Sequence, residues 1–226
     1  FTHTFRRPGG YHWDVGVHAI GEVTDKSMTG RILGRLTKGH LQWESLGEVY
    51  DTFEFPGGFK IDFPDTPHKF VANLIEAFPD EEAAIHKYFD EVREVAGQMR
   101  RWYMSRVMPP KFAGVADKLA GKAAHKHFNR TAKEVMDELT DNEQLKAVLC
   151  SQWGYYGEVP ENASFAIQAL VARHFLWGAY YPVGGSKRIA EGLLKTVEEA
   201  GGWTRISTPV DEIILDSDDR AIGVRC

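Results

Sequence analysis

Hydrophobic positions recur with two different periods along this chain, and the change of period predicts its elements. Over residues 2–20 polar and apolar residues alternate around Pro8-Gly9-Gly10 and Gly16. That pattern predicts a hairpin or two short strands, with Phe5, Tyr11, Trp13, Val15 and Val17 on the buried side. Asp25 is placed to cap a helix carrying Met28, Ile32, Leu33 and Leu36, which Gly39 would stop. Alternation returns over residues 48–55 and 59–63, across Pro56-Gly57-Gly58, and predicts a second hairpin.

From Thr66-Pro67 the period lengthens to three or four. A proline at the first helical position costs no hydrogen bond, and Phe70, Leu74, Ile75 and Phe78 then share a face. Pro79 restarts the chain in a long helix marked by Ile85, Tyr88, Phe89, Val92, Val95, Met99 and Trp102. Its acids (Asp80, Glu81, Glu82) lie near the N-terminus and its bases (Arg100, Arg101, Arg106) near the C-terminus, as the helix dipole favours. Pro109-Pro110 ends it. Lys118, Lys122, Lys126 and Arg130 then form a four-residue ladder that reads as a solvated basic stripe. The sharper reading is a surface docking on anionic lipid, helped by Val107, Met108 and Phe112.

Short helices are predicted over 130–139 and 142–153, and Glu161, Asn162 or Ser164 opens an apolar helix. Its apolar run, 163–178, is broken by Gln168, Arg173 and His174, and falls short of the roughly 20 residues that span a bilayer, so it reads as a buried helix. Next comes Tyr180-Tyr181-Pro182-Val183-Gly184-Gly185-Ser186, a turn in which Ser186 is expected to cap a helix ending at Gly201-Gly202. The free N–H groups of that helix would face a bound anionic or polar group. Strands at 204–207, 210–215 and 221–225 close the chain, the last two joined by the turn at 216–219.

Composition narrows the class. With 226 residues, 43% hydrophobic and 26% charged, the chain can bury a real core and is not of disordered type. A net charge of -5 argues against nucleic acid as a partner. Cys150 and Cys226 are the two cysteines, too few for a disulfide framework, and suggest a reducing, cytoplasmic setting with peripheral membrane association as an option. No signal peptide pattern opens the chain, and strand-like residues run to both ends, so a fragment of a longer protein is expected.

Several chemistries are weighed against these patterns. His125-Lys126-His127 is the tightest histidine pair, but side chains two apart on a helix diverge and no carboxylate or cysteine completes a zinc set, so no metal is expected. Gly-x-Ser-x-Gly does not occur, which leaves no nucleophile elbow. Glu81-Glu82 and Glu198-Glu199 read as solvated acids. Asp14-Val15-Gly16-Val17-His18 gathers an acid, a glycine and a histidine within five residues, with ordinary turn and core-edge roles as the plain alternative.

These residues also carry a resemblance. His3-Thr4-Phe5, Gly10 and the run Trp13 to Gly21 resemble the segment after the first βαβ unit of the flavin-dependent phytoene desaturase, carotenoid isomerase and retinol saturase group. Gln152-Trp153-Gly154-Tyr155-Tyr156-Gly157, Pro160, Ser164-Phe165 and Gly178 to Ser186 are similar to the same family, and most to its retinol saturase-like members. Gly201-Gly202, Val210, Ile213 and Arg220-Ala221-x-Gly223-Val224 resemble the return into its flavin domain.

The resemblance implies an FAD-dependent oxidoreductase acting on a carotenoid, retinoid or other isoprenoid-like substrate, by desaturation, saturation or isomerisation. The fold class it implies is α+β: a mostly helical substrate domain with hairpins, plus partial strands of an FAD-binding domain. Residues 1–47 would be partial FAD-binding region, 48–182 substrate domain, and 183–226 the return. Asp14, Val15, Gly16 and His18 would lie near the flavin, Gly184 and Gly185 by its ring, and Val210 by the adenine; His18 is the catalytic candidate. Between the early and late glycine segments, a greasy helical chamber would hold the substrate. The family's Gly-x-Gly-x-x-Gly is absent, since Gly30-Arg31-Ile32-Leu33-Gly34 is no substitute, and this stretch alone should bind FAD poorly. Competing readings are an amine-oxidase-like flavoenzyme with a small polar substrate and a non-catalytic apolar-ligand or membrane-binding module. Oligomeric state is left open.

Overall fold

A computed structural model describes residues 2–109, 114, 121 and 125–226. It is a mixture of helices and small antiparallel two-stranded sheets, in keeping with the α+β expectation. The order begins with β1 (Thr4–Arg7), β2 (Tyr11–Asp14), α1 (Met28–Leu36), β3 (Trp43–Ser45), β4 (Val49–Glu54), β5 (Lys60–Pro64), α2 (Pro67–Ala77) and α3 (Glu82–Arg106). It continues through α4 (Ala132–Leu139), α5 (Glu143–Cys150), α6 (Phe165–Phe175), β6 (Tyr180–Pro182), α7 (Lys187–Glu199), β7 (Glu212–Leu215) and β8 (Ala221–Arg225).

The helical body is built as its periodicity predicts. In the β4–β5 hairpin Phe53 faces Ile61 and Thr52 faces Asp62, across a turn where Gly57 and Gly58 take φ of 90° and 84°. Such angles suit a residue without Cβ. Ile61 and Phe63 point inward, and Phe63 meets Phe70 of α2 with ring centroids 4.3 Å apart. A 3-10 turn at Pro79–Glu81 hands the chain to α3, whose Ile85, Tyr88, Val92, Val95 and Met99 are buried. Against them lie Val135 and Met136 of α4, Leu145 and Val148 of α5, and Phe165, Ala166 and Ala169 of α6. Alanines along α6 let it approach α3 closely, and each large side chain so buried contributes about 1.5–3 kcal/mol. The apolar residues expected to line a chamber instead fill a packed core against one another.

Caps set the helix starts. Thr131 and Glu134 form a complete capping box on α4, Asn142 accepts from Leu145 N on α5, and Ser164 opens α6. Ser27 rather than Asp25 caps α1, because its hydroxyl accepts from Gly30 N at 2.9 Å. Helix α7 packs on the end of α1 at Gly192, where an added Cβ would stand 3.3 Å from Thr37 Cγ2, and Lys38 pairs with Glu199.

The outer hairpins depart from expectation. Strands β1 and β2 pair as predicted, Phe5 against Trp13, yet Phe5, Tyr11, Trp13 and Val15 are exposed, because no second layer among the described residues covers that face. Strands β7 and β8 pair too, but residues 204–207 form no strand. Arg130 does not join a free basic stripe: its guanidinium sits 2.5 Å from Glu138 and 3.8 Å from Glu91. Lys118, Lys122 and Phe112 lie outside the described residues; Val107 and Met108 are exposed. His125 is exposed while His127 is buried, so the pair does diverge, and among the described residues no three metal-ligating side chains gather. Among the described residues, no helix is long and apolar enough to cross a membrane.

Candidate functional site

The early and late glycine-bearing segments meet. After β2 the chain bends at Val15-Gly16 and runs as an extended strap to Ile20, which exchanges two 2.9 Å backbone hydrogen bonds with Tyr180. Strand β6 also pairs with β3, Tyr180 against Ser45, so the strap and β3 both hydrogen-bond to it. Alternation along β6 sends its two tyrosines to opposite faces. Tyr181 donates its hydroxyl to the Asp14 carboxylate, whereas Tyr180 lines a cleft of about 490 Å³ with Glu22, Ser27, Arg173 and Trp177.

Asp14 is the hinge of this meeting. Its Oδ2 also accepts from Ser186 N at 2.9 Å, across 172 positions of sequence. Gly185 makes the approach possible: at its φ of 93° a Cβ would lie 3.3 Å from Asp14 Oδ2. Gly184 is likewise left-handed, at 89°. Ser186 does not cap α7 as expected. It is itself helical, at φ -59° and ψ -30°, and its buried hydroxyl has no aligned partner among the described residues. The cap comes instead from Asp14, whose negative charge suits the positive end of the α7 dipole.

Desolvation works to raise the Asp14 pKa, but hydrogen bonds from Tyr181 and Ser186, with Lys187 nearby, outweigh it and hold the carboxyl below its ordinary value. Tyr181 responds in the other sense: burial and the adjoining carboxylate push its hydroxyl up to about 12. At neutral pH the pair is therefore a fixed carboxylate and a neutral phenol.

The rest of the strap is held by aromatic and imidazole contacts. His18 is exposed and meets the Tyr155 ring edge-on, centroids 6.2 Å apart. Tyr155 donates to Asp51 at 3.3 Å and leans on Phe175 at 4.7 Å. Burial raises the Asp51 pKa and, with that carboxylate beside it, pushes the Tyr155 hydroxyl to about 12. Gly21 donates its N–H to His174 Nε2 at 2.7 Å. Val15 and Val210 are exposed, and no hydrogen bond among the described residues ties Val210 to this cluster.

Behind the strap lies a buried polar ladder. Gln168 donates to the Leu149 carbonyl at 2.6 Å and accepts from Tyr156, and Gln152 donates to Tyr50 at 3.1 Å. Burial raises the phenols of Tyr50, Tyr88 and Tyr156 and pushes the Cys150 thiol up to about 12, so none is a nucleophile at neutral pH. Sequence reasoning assigned Tyr181, Gln168 and His174 no role. The signal was present for the last two: a polar residue inside a helix read as buried requires a partner.

No family model matches the chain. The all-trans-retinol 13,14-reductase of Danio rerio is 32% identical over 231 residues, 98% of this chain and 38% of the relative. The phytoene desaturase (neurosporene-forming) of Rhodobacter capsulatus is 39% identical over 49 residues, 22% of this chain and 9% of the relative. The chain belongs to the retinol saturase and carotenoid desaturase family. It spans about 38% of the length of the curated relatives that it matches over nearly its whole extent. Family membership does not by itself carry activity: an inactive all-trans-retinol 13,14-reductase of Danio rerio is 25% identical over 95% of this chain. What a member can do must be argued from its site.

Proposed function

We propose that the chain forms part of an FAD-dependent oxidoreductase acting on a retinoid, carotenoid or other isoprenoid-like substrate. The observation that carries the reading is the junction of Asp14 with Tyr181, Gly185 and Ser186, which brings two segments of the family resemblance to one place. In this reading residues 48–182 belong to the substrate domain, and 1–47 and 183–226 adjoin the FAD-binding domain.

The residues present suit one part of the cofactor more than another. Asp14 already places a negative charge on the N-terminus of α7, so a phosphate there would meet repulsion. An uncharged flat ring system avoids that repulsion where Val15 and His18 are exposed, while the Cβ directions of Gly184 and Gly185 are already filled by Arg188 and Asp14. That division agrees with the absence of Gly-x-Gly-x-x-Gly, and puts pyrophosphate recognition elsewhere in the complete protein. When bound, the flavin supplies the electron-pair chemistry that no side chain here provides. Asp14 fixes the strap and turn, Gly184 and Gly185 make room for Arg188 and Asp14, Gly16 leaves its backbone without a side chain, His18 presents an imidazole, and Val210 offers backbone groups to the adenine side.

A ligand with an apolar body and a polar end has a surface on this chain in the groove of about 600 Å³ where Val71, Phe89, Leu176 and Trp177 lie beside Asp90 and Arg93. Exposed Val107 and Met108 beyond the arginines of α3 favour contact with an anionic membrane. The test is FAD retention and retinol turnover in the complete protein. Asp14→Ala should lose bound flavin, seen as loss of the oxidised-flavin absorbance. If His18→Ala leaves both spectrum and turnover unchanged, His18 has no role.

A further inference from the structure

We infer that His174 is a positioning residue: its neutral imidazole latches the strap at Gly21, and protonation of that imidazole opens the latch. The importance of the strap for cofactor binding rests on the reading above, whereas the latch itself stands on geometry alone.

Several contacts pin the strap, among them the His18–Tyr155 ring contact, the Tyr181–Val17 bond and the Arg173–Glu22 ion pair; three hold its start, middle and end. Asp14 holds its start and the Ile20–Tyr180 bridge its middle, and neither depends on a group that titrates near neutrality. The third is the 2.7 Å bond from Gly21 N–H to His174 Nε2. A backbone N–H only donates, so Nε2 must present its lone pair and the ring proton must sit on Nδ1. An imidazolium carries a proton on both nitrogens and would set two donors against each other. The contact is also very close: a Cβ on Gly21 would lie 1.8 Å from the His174 carbonyl oxygen. Glu22, next along the strap, is held left-handed at φ 52°, a conformation rare outside glycine.

The surroundings favour the neutral ring. Burial lowers the His174 pKa, Arg173 on its own helix adds to that, and Glu22 from the strap opposes it without prevailing. Arg173 Nη1 lies 3.0 Å from the Glu22 carboxylate, which further engages that acid. Because the folded-state pKa lies below the unfolded value of about 6.5, the latch is fully made above that pH and is lost as pH falls through the folded value.

The experiment is amide hydrogen exchange at residues 17–22 of this chain between pH 8 and 5, corrected for intrinsic rates, with His174→Gln and His174→Phe alongside. Gln supplies an acceptor that does not titrate; Phe supplies none. In the wild-type chain the Gly21 protection factor should fall about tenfold on acidification, the scale of one buried hydrogen bond. It should stay flat in His174→Gln and be low throughout in His174→Phe. Should the Phe variant fail to fold, the nitrogen shifts of His174 decide: an Nδ1–H tautomer at pH 8 supports the latch, and an Nε2–H tautomer overturns it. Protection that ignores pH in the wild type also overturns it. In the complete protein, wild-type FAD affinity should weaken on acidification and that of His174→Gln should not. A latch that opens while FAD affinity stays flat would count against the flavin-facing strap, and leave the latch standing.

Discussion

The helical body and the outer hairpins put their apolar residues to opposite ends. In α3 and α6, residues three or four apart face another helix, and Ile85, Val95, Phe165 and Ala169 have no exposure at all. In β1–β2 and β7–β8 the apolar residues find no such partner among the described residues, and Trp13 remains 54% and Ile213 62% exposed. A helix in this body finds its neighbours within the next few elements. A two-stranded sheet satisfies only its own backbone, and its apolar face needs a second layer from elsewhere. Patterning therefore reports what a segment is able to bury; which layer covers it is a separate matter.

That contrast can be broken by substitution. Leu74→Ala, at a site with no exposure, should cost about 2–5 kcal/mol in urea unfolding, and a loss near zero would mean that the helical body is looser than described. Gly21→Ala should cost about 1–3 kcal/mol or more, because the strap must move off His174; an unchanged thermal midpoint would refute the close approach. Gln168→Leu takes from the Tyr156 hydroxyl its acceptor and from the Leu149 carbonyl the nearer of its two side-chain donors, a loss of about 1–3 kcal/mol by chemical denaturation. Thr131→Ala removes half of a capping box and should cost about 1 kcal/mol, with fraying visible in the exchange of the first α4 amides. Trp13→Ser on the outer hairpin should stay within about 0.5 kcal/mol, and a larger loss would reveal a covering layer already in place.

Acidification probes the junction between the two regions. The folded-state pKa of Asp14 lies below its unfolded value near 4, so its contribution is present above that pH and is lost as pH falls through the folded value. Asp14→Asn should flatten that part of the stability profile.

Much of the candidate site was legible in local sequence. Gly184-Gly185 announced a backbone turn requiring positive φ, and Asp14 to His18 stood out as an acid, a glycine and a histidine beside strand residues. Its wiring was not legible. Ser186 looks like a cap because a hydroxyl before a helix usually is one, but here Asp14 supplies the acceptor from the other end of the chain. Gln168 and His174 looked like interruptions of an apolar helix and prove to be its anchors.

Taken alone, the sequence determined most of the elements, the apolar faces of the helices and the family, since periodicity, capping residues and turn glycines act over a few positions and keep their meaning wherever the segment lies. Only the tertiary structure decided which carboxylate meets which helix end, which imidazole takes which amide, and which apolar faces find a partner. Those pairings join groups 153 to 172 positions apart, and no local pattern encodes a distance through space.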